Sequence, residues 1–197
     1  MNTHVSPERR MKVPEYLAWA VSQPRGRYEL VDGEVVAMAP ERVRHNVVKL
    51  EVAIALRDAV RAAGLPCVVF TDGVTVVIND ETAREPDASV QCGGQIDPDS
   101  MILEAPLIVV EVASPTSEDH DLHRKLVEYF SVSSIYHYLI ILPEKRVLVH
   151  HQRGVTDIAT RIARSGDVVL NPPGITVPVM ALLGPSFAGD EDANLQG

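Results

Sequence analysis

The feature that most constrains this chain is a short apolar run that ends in an acid. Residues Leu107–Val110 are all apolar, most of them are β-branched, and Glu111 follows them directly. Such a run predicts a β-strand. A second acid, Asp87, follows Pro86 in another segment with a β-strand pattern. Because strands are rigid supports for functional groups, we expect the two acids to be presented at the edge of one sheet.

The size and composition of the chain are those of a folded α/β protein. It has 197 residues, 46% of them hydrophobic and 23% charged, which suits one domain with a full core, expected over residues 1–183. Residues 184–197 combine Gly and Pro with acids that have no basic neighbour, which predicts a disordered acidic tail. The net charge of −9 argues against broad, charge-driven binding to nucleic acid, so any such contact must be local.

Two further patterns bear on the setting of the protein. No apolar run approaches the roughly 20 residues that a membrane-spanning helix needs, and the N-terminus lacks a basic segment followed by an apolar one. A cytoplasmic protein without a membrane partner is therefore expected. Cys67 and Cys92 have no cysteine close in sequence, so we predict two thiols rather than a disulfide or a zinc site.

Periodicity and turn residues predict the order of helices and strands. Helices are expected at 13–21, at 41–63 and over a segment that ends near residue 130 and carries Lys125. Hairpins are expected at 28–37, 67–78 and 135–150, and edge strands at 155–163 and 168–170. The strongest hairpin signal is Asp32-Gly33, a pair that suits a tight turn between two strands.

The two acids and Lys125 form a pattern that suits metal-dependent hydrolysis. Carboxylates are the hard oxygen ligands that Mg²⁺ and Mn²⁺ bind, and Asp87 and Glu111 can share one ion if their strands are neighbours. The ammonium of Lys125, on the next predicted helix, can orient an attacking water or stabilise developing negative charge. A surface lysine on an amphipathic helix is the alternative interpretation.

Several segments, in the same order, resemble one family. They are Tyr28-Glu29-Leu30-Val31-Asp32-Gly33-Glu34, Glu85-Pro86-Asp87, Val110-Glu111-Val112-Ala113-Ser114-Pro115-Thr116, and Lys125-Leu126 followed by Tyr129. The chain, from about residue 16 to about residue 152, is similar to the Uma-type family of restriction-endonuclease-like proteins, within the PD-(D/E)XK nuclease superfamily. The resemblance implies an α/β fold with a restriction-endonuclease-like mixed β-sheet, flanked by helices and carrying β-hairpins.

The resemblance also implies roles for individual residues. Asp87 and Glu111 take the places of the metal-binding acids, and the backbone carbonyl of Val112 takes the place of a third ligand to Mg²⁺ or Mn²⁺. The lysine of the superfamily motif is replaced by Ala113 in this sequence. Because the related family carries that lysine on the next helix, the resemblance selects Lys125.

The remaining candidates are acids and bases near the predicted site. Glu34 is an additional acid candidate, since similar proteins present an acid early in the chain, and its alternative is a solvent-facing strand residue. Glu29, on the same hairpin, is a weaker candidate. His45, beside Arg42 and Arg44, suits a phosphate contact, but a polar helix face explains all three equally.

Together these residues favour a divalent-metal-dependent endonuclease that hydrolyses DNA phosphodiester bonds, with Asp87, Glu111, Lys125 and Glu34 as its catalytic residues. A homodimer is expected because two strands are cut. The alternative function is a catalytically inactive homodimeric binding or scaffold protein that keeps the nuclease fold, which the acidic charge favours. Hydrolysis of another phosphate-bearing substrate by the same site is a third interpretation, since similar ligands serve different chemistries.

Overall fold

Residues 3–4, 10–113 and 119–187 are described by a computed structural model. The helices are α1 (Val13–Ser22), α2 (Val43–Ala62), α3 (Asp119–Ser131) and α4 (Val179–Leu183). The strands are β1 (Thr3–His4), β2 (Tyr28–Val31), β3 (Glu34–Ala37), β4 (Cys67–Thr71), β5 (Val76–Asn79), β6 (Thr82–Arg84), β7 (Ala88–Cys92), β8 (Pro106–Val112), β9 (His137–Leu142), β10 (Val147–Arg153), β11 (Ile158–Ala163), β12 (Asp167–Leu170) and β13 (Ile175–Pro178). None of the described helices is long and apolar enough to cross a membrane.

A six-stranded mixed sheet lies at the centre of the fold, in the order β11-β10-β9-β8-β7-β4. Strands β8 and β9 are parallel, and the other neighbouring pairs are antiparallel. Parallel neighbours need a crossover connection, and α3 lies in the segment that supplies it. The acid of β8 and the helix that carries Lys125 are therefore consecutive parts of one crossover.

Helices cover both faces of this sheet. Along β8, Val110 and Val112 join the core beneath α2, whereas Val109 joins the core beneath α3, as the alternation of side chains along a strand requires. On the first face, α2 buries Val48, Val52, Leu56 and Val60, which recur at helical spacing, and α4 with the two-stranded sheet β12–β13 completes the layer. A side chain on β8 can thus face one helix or the other, depending on its position along the strand.

A second sheet of five strands, in the order β1-β3-β2-β6-β5, packs with α1. Its β2–β3 hairpin turns at Asp32 and Gly33, whose φ angles are 50° and 80°, as expected for a tight hairpin turn. A Cβ on Gly33 would lie 2.9 Å from the Cβ of Arg10, so both the positive φ and the available space favour glycine. This hairpin brings Glu29 beside Lys125 of α3.

The structure confirms the mixed sheet flanked by helices, the hairpin at Asp32-Gly33, the helix that carries Lys125 and the β9–β10 hairpin. Residues 155–163 contribute the edge strand β11, whereas residues 168–170 belong to the separate β12–β13 sheet. The division into a domain at 1–183 and an acidic tail at 184–197 stays a prediction. Residues 184–187 carry neither helix nor strand, and 188–197 lie outside the described residues.

Two predictions are wrong. Strands β4 and β5 do not form a hairpin, because β4 pairs with β7 in the central sheet and β5 pairs with β6 in the other sheet. Cys67 and Cys92 are not two thiols, since they stand opposite each other in the β4–β7 ladder and form a disulfide. Both errors come from one non-local strand pairing, which no pattern within either strand reveals.

Candidate active site

Asp87 directly precedes β7, at the end of the sheet where the neighbouring strand β8 extends beyond β7. The last pair between the two strands joins Ala88 to Val110, so the backbone N–H of Val112 has no partner on β7. The side chain of Asp87 takes that place, and its Oδ2 accepts a hydrogen bond of 2.7 Å from the nitrogen of Val112. The backbone therefore fixes this carboxylate beside the end of β8.

Glu111, near the end of β8, is held by α3. Its Oε1 accepts hydrogen bonds from Lys125 Nζ at 3.0 Å and from the hydroxyl of Tyr129 at 2.7 Å. Lys125 and Tyr129 are four residues apart, which puts them on the same face of the helix. Only 8% of Glu111 and 6% of Lys125 are exposed, so the interpretation of Lys125 as a surface lysine is wrong.

A second buried acid, Glu29, completes the environment of Lys125. Its Oε1 lies 3.6 Å from Lys125 Nζ and accepts a hydrogen bond from the backbone nitrogen of Glu85 at 3.2 Å. Its Oε2 accepts a hydrogen bond of 2.8 Å from Arg84. Arg84 also contacts Glu128 on α3, at 2.7 Å. The lysine ammonium is thus held between carboxylates from β2 and β8.

Two bases from the first turns of α2 approach Asp87 from the other side. Lys49 Nζ lies 2.7 Å from Asp87 Oδ1, and His45 Nε2 lies 3.6 Å from Asp87 Oδ2. His45 Nε2 also contacts the carbonyl oxygen of Val112. His45 and Lys49 are four residues apart and point to the same side of the helix. The histidine proposed from sequence as a phosphate contact therefore faces Asp87 and the backbone of β8.

The two carboxylates have opposite electrostatic settings. Burial raises the pKa of Glu111 to about 7, because the lowering effect of Lys125 is opposed by the negative charges of Asp87 and Glu29. Burial also acts to raise the pKa of Asp87, but the hydrogen bonds from His45, Lys49 and the Val112 N–H, with the charge of Lys49, outweigh it and lower that pKa. The influence of Asp87 on Glu111 shows that both acids belong to one electrostatic site.

A third group of contacts surrounds Lys49. Its ammonium contacts Glu41 and lies 2.9 Å from Asp72 Oδ2, in addition to Asp87. The carboxylate oxygens of Glu41, Asp72 and Asp87 lie within 4.8 Å of one another. Arg27 also contacts Glu41 at 3.1 Å and Asp72 at 2.7 Å. Acids and bases therefore alternate along this edge of the site.

The structure brings Asp87, Glu111, Val112 and Lys125 together but places Glu34 elsewhere. Glu34 is exposed at the start of β3, near the turn of the hairpin, and the acid buried beside Lys125 is Glu29 on the paired strand. Sequence reasoning missed the contributions of Lys49, Arg84, Tyr129, Glu41 and Asp72. Helical spacing from His45 to Lys49 and from Lys125 to Tyr129 was the available signal; the others arrive through non-local pairing.

The residues present fit a hard divalent cation. Two carboxylates and a backbone carbonyl oxygen, from Asp87, Glu111 and Val112, are the donor set that Mg²⁺ and Mn²⁺ favour. All three groups lie at the end of one strand pair, on backbone held by the sheet ladder and by the Asp87–Val112 hydrogen bond. The bases around them supply positive charge close to these ligands.

The mixed sheet with a buried acid and lysine pair defines a restriction-endonuclease-like α/β protein. Residues 13–179 match the sequence profile of the Uma2 family, described as "Putative restriction endonuclease". The chain belongs to this family. It is 26% identical over 137 residues to an uncharacterized protein of Synechocystis sp.. The aligned region covers 69% of this chain and 70% of that protein.

A solved structure has the same fold. A crystal structure from Anabaena variabilis, described as a putative nuclease belonging to DUF820, superposes with a TM-score of 0.69 at 13% sequence identity. The match covers 88% of this chain and 97% of the other. The similarity shows that the arrangement of sheet and helices described above is shared with that protein.

Proposed function

We propose that this protein is a divalent-metal-dependent endonuclease that hydrolyses DNA phosphodiester bonds. The observation that carries the proposal is the placement of Asp87, just before β7 and bonded to the nitrogen of Val112, beside Glu111 at the end of β8, with Lys125 Nζ 3.0 Å from Glu111. Membership of the Uma2 family, described as "Putative restriction endonuclease", supports a nucleic acid as the substrate class.

In this proposal Asp87, Glu111 and the carbonyl of Val112 hold one Mg²⁺ or Mn²⁺. The chemistry that such an ion supplies when bound is neutralisation of phosphate charge and activation of a water molecule. Asp87 is kept ionised by Lys49 and His45, so it offers a charged ligand at neutral pH. The Val112 N–H fixes the orientation of this carboxylate, which reduces the reorganisation that ligand binding requires.

Lys125 is the proposed catalytic lysine. Its ammonium orients the attacking water and stabilises the negative charge that develops on the phosphate oxygens. Glu29 and Glu111 hold Nζ from two sides, and Arg84 neutralises Glu29 in turn. We assign the additional acid of the site to Glu29, because Glu29 and not the exposed Glu34 is buried beside Lys125.

A catalytically inactive homodimeric binding or scaffold protein is the second candidate function. It is favoured by the net charge of −9 and by the bases that already contact the acids of the site, Lys49 and His45 at Asp87 and Lys125 at Glu111. The two candidates differ in one measurable property, which is metal-dependent turnover of DNA.

The test is cleavage of supercoiled plasmid and of single-stranded DNA in the presence of Mg²⁺ or Mn²⁺. The parent protein is compared with Asp87→Ala and with Asp58→Ala, which removes an exposed carboxylate from α2. We expect cleavage by the parent and by Asp58→Ala, and none by Asp87→Ala. Equal cleavage by all three proteins would contradict the assigned site, and no cleavage by any would favour the scaffold function.

A further inference from the structure

The ammonium of Lys49 sits among three carboxylates at one edge of the site. Nζ lies 2.7 Å from Asp87 Oδ1 and 2.9 Å from Asp72 Oδ2, and it also contacts Glu41 Oε1. An ammonium has three N–H donors and no acceptor, so each donor has one carboxylate. The side chain of Lys49 is only 7% exposed. The positive charge of Lys49 therefore neutralises carboxylates within the protein and does not face solvent.

The fold explains why these acids meet. Strands β4 and β7 pair up to Thr71 and Ala88, so Asp72 and Asp87 are the next residues at the same end of this strand pair. Glu41 lies just before α2, which crosses the same end of the sheet. Lys49 reaches the three acids from the second turn of that helix, four residues after His45.

Carboxylate oxygens at this spacing form a ligand set for a divalent cation. The oxygens of Glu41, Asp72 and Asp87 lie within 4.8 Å of one another, and hard divalent ions bind such oxygen sets. An ion bound equally to all three would lie where Nζ lies now. Like charges this close repel strongly unless a cation lies between them, and the ammonium is that cation.

The charge on Lys49 is secured by its surroundings. Carboxylates of Asp87, Glu41 and Asp72 surround the ammonium, and opposite charges this close favour its charged form. Arg27 adds one more positive charge against Glu41 and Asp72. Removal of the ammonium would leave three carboxylates and one guanidinium, a net negative charge that a divalent cation would neutralise.

We propose that Lys49 is a built-in cation that takes the place of a second divalent ion, so that the protein binds a single divalent ion, at Asp87, Glu111 and Val112. The location of that single ion rests on the proposed function, whereas the role of Lys49 rests on its own contacts. Lys49 is a positioning residue: it holds Asp87 through Oδ1, while Oδ2 accepts the hydrogen bond from the nitrogen of Val112.

The test is the number of Mn²⁺ ions bound per chain, measured by titration calorimetry and by the EPR signal of free Mn²⁺ with the full-length protein. Lys49→Met keeps the length of the side chain without its charge, and Lys49→Arg keeps the charge. We expect one ion for the parent and for Lys49→Arg, and two for Lys49→Met. Adding Asp72→Asn to Lys49→Met is expected to return the number to one.

A second variant covers the case in which Lys49→Met does not fold. Lys49→Gln keeps a hydrogen-bond donor among the carboxylates and is also expected to bind two ions. Thermal unfolding with and without Mn²⁺ gives an independent readout, since a newly bound ion stabilises the folded state by mass action. We expect Mn²⁺ to raise the Tm of the neutral variants more than that of the parent or of Lys49→Arg.

The outcomes separate this inference from the proposed function. One ion in both the parent and the neutral variants, or two in the parent, would overturn the role of Lys49 and leave the nuclease proposal standing. No ion in the parent and one in Lys49→Met, lost again with Asp72→Asn, would support the role of Lys49 and overturn the proposed metal site. No ion in any protein would overturn both.

Discussion

Asp87, just before β7, and Glu111, on the neighbouring strand β8, are both buried acids, yet their side chains have different partners. Asp87 faces α2 and is bound by Lys49, His45 and the Val112 N–H, while Glu111 faces α3 and is held by Lys125 and Tyr129. Lys49 also contacts Glu41 and Asp72, and Lys125 also contacts Glu29. Each acid thus has its own lysine, supplied by its own helix.

The difference shows that burial alone does not set the charge of an acid. Both side chains are buried, with 4% of Asp87 and 8% of Glu111 exposed. Asp87 gains enough positive charge and hydrogen bonding to lower its pKa despite burial, whereas burial raises the pKa of Glu111 to about 7, with a further contribution from the charges of Asp87 and Glu29. A pair of carboxylates with separated pKa values is typical of a functional site.

The largest effect on the cleavage rate is expected for Asp87 and Glu111, which are proposed to bind one ion together. Asp87→Asn and Glu111→Gln each remove one charged ligand, so both are expected to lose metal-dependent DNA cleavage by more than the roughly 10–100-fold that an outer-shell partner costs. Initial rates on plasmid DNA, with Asp58→Asn as the exposed control, measure this. If one of the two variants keeps the parental rate, the acids do not share an ion.

Lys125 tests the Glu111 side separately from metal binding. Lys125→Met is expected to bind Mn²⁺ still, because it keeps both carboxylates, but to cleave about 10²–10⁴-fold more slowly through loss of water orientation and charge stabilisation. Binding is measured by calorimetry and cleavage under single-turnover conditions. A variant that cleaves like the parent would show that the lysine of this family is not the catalytic one here.

Arg84 and Arg124 contact the same acid, Glu128, and they test whether burial sets the contribution of an ion pair to stability. Arg84 is 2% exposed and contacts Glu29 and Glu128, while the side chain of Arg124 is 34% exposed and also contacts Glu128. Arg84→Met leaves buried charge without its partner and is expected to lower the free energy of unfolding by about 3–5 kcal/mol. Arg124→Met is expected to cost about 0–1 kcal/mol. Urea unfolding of both variants checks the contrast, and equal losses would contradict it.

The raised pKa of Glu111 predicts a pH dependence of stability. Its pKa is about 7 in the folded protein and 4.5 in the unfolded chain, so the folded state binds more protons between these values. The stabilisation from this group is therefore present below the unfolded pKa and is lost as pH rises through the folded pKa. The free energy of unfolding is measured in urea for the metal-free parent and for Glu111→Gln. As the pH falls from about 7.5 to about 5, the stability of the parent is expected to increase relative to that of Glu111→Gln. A constant difference would contradict the shift.

The smallest effect is expected at the hairpin. Glu34→Gln changes an exposed residue and is expected to alter stability by no more than about 0.5 kcal/mol and to leave cleavage at the parental rate. Glu29→Gln removes the buried carboxylate beside Lys125 and is expected to slow cleavage. Parallel assays of the two variants decide which acid of the hairpin belongs to the site. A slow Glu34→Gln with a normal Glu29→Gln would reverse the assignment.

Those parts of the fold that depend on neighbouring residues were predictable. The turn at Asp32-Gly33 follows from two residues that accept positive φ, and α2 follows from helical spacing. The motifs at Asp87 and Glu111 could be read because each accompanies a strand pattern and their order resembles one family. Local patterns of this kind carry their own structural information.

The rest depends on strand order, which is a property of the whole chain. The pairing of β4 with β7 brings Cys67 opposite Cys92 and Asp72 beside Asp87, although neither pair is close in sequence. In the sequence, Lys49 is one polar residue of a predicted helix, and its role becomes visible only from the positions of Asp72 and Asp87 in the structure. Glu29 and Glu34 belong to one short hairpin, but Glu29 is buried beside Arg84 of β6 and Lys125 of α3, whereas Glu34 is exposed.

The most direct test of the account is a crystal structure of the protein grown or soaked with Mn²⁺, with the ion located by its anomalous signal. The account predicts one strong peak per chain within coordination distance of a carboxylate oxygen of Asp87, a carboxylate oxygen of Glu111 and the carbonyl oxygen of Val112, with Lys49 Nζ still among Glu41, Asp72 and Asp87. A peak that replaces Lys49 among those three acids, or that lacks Glu111 as a ligand, would contradict it.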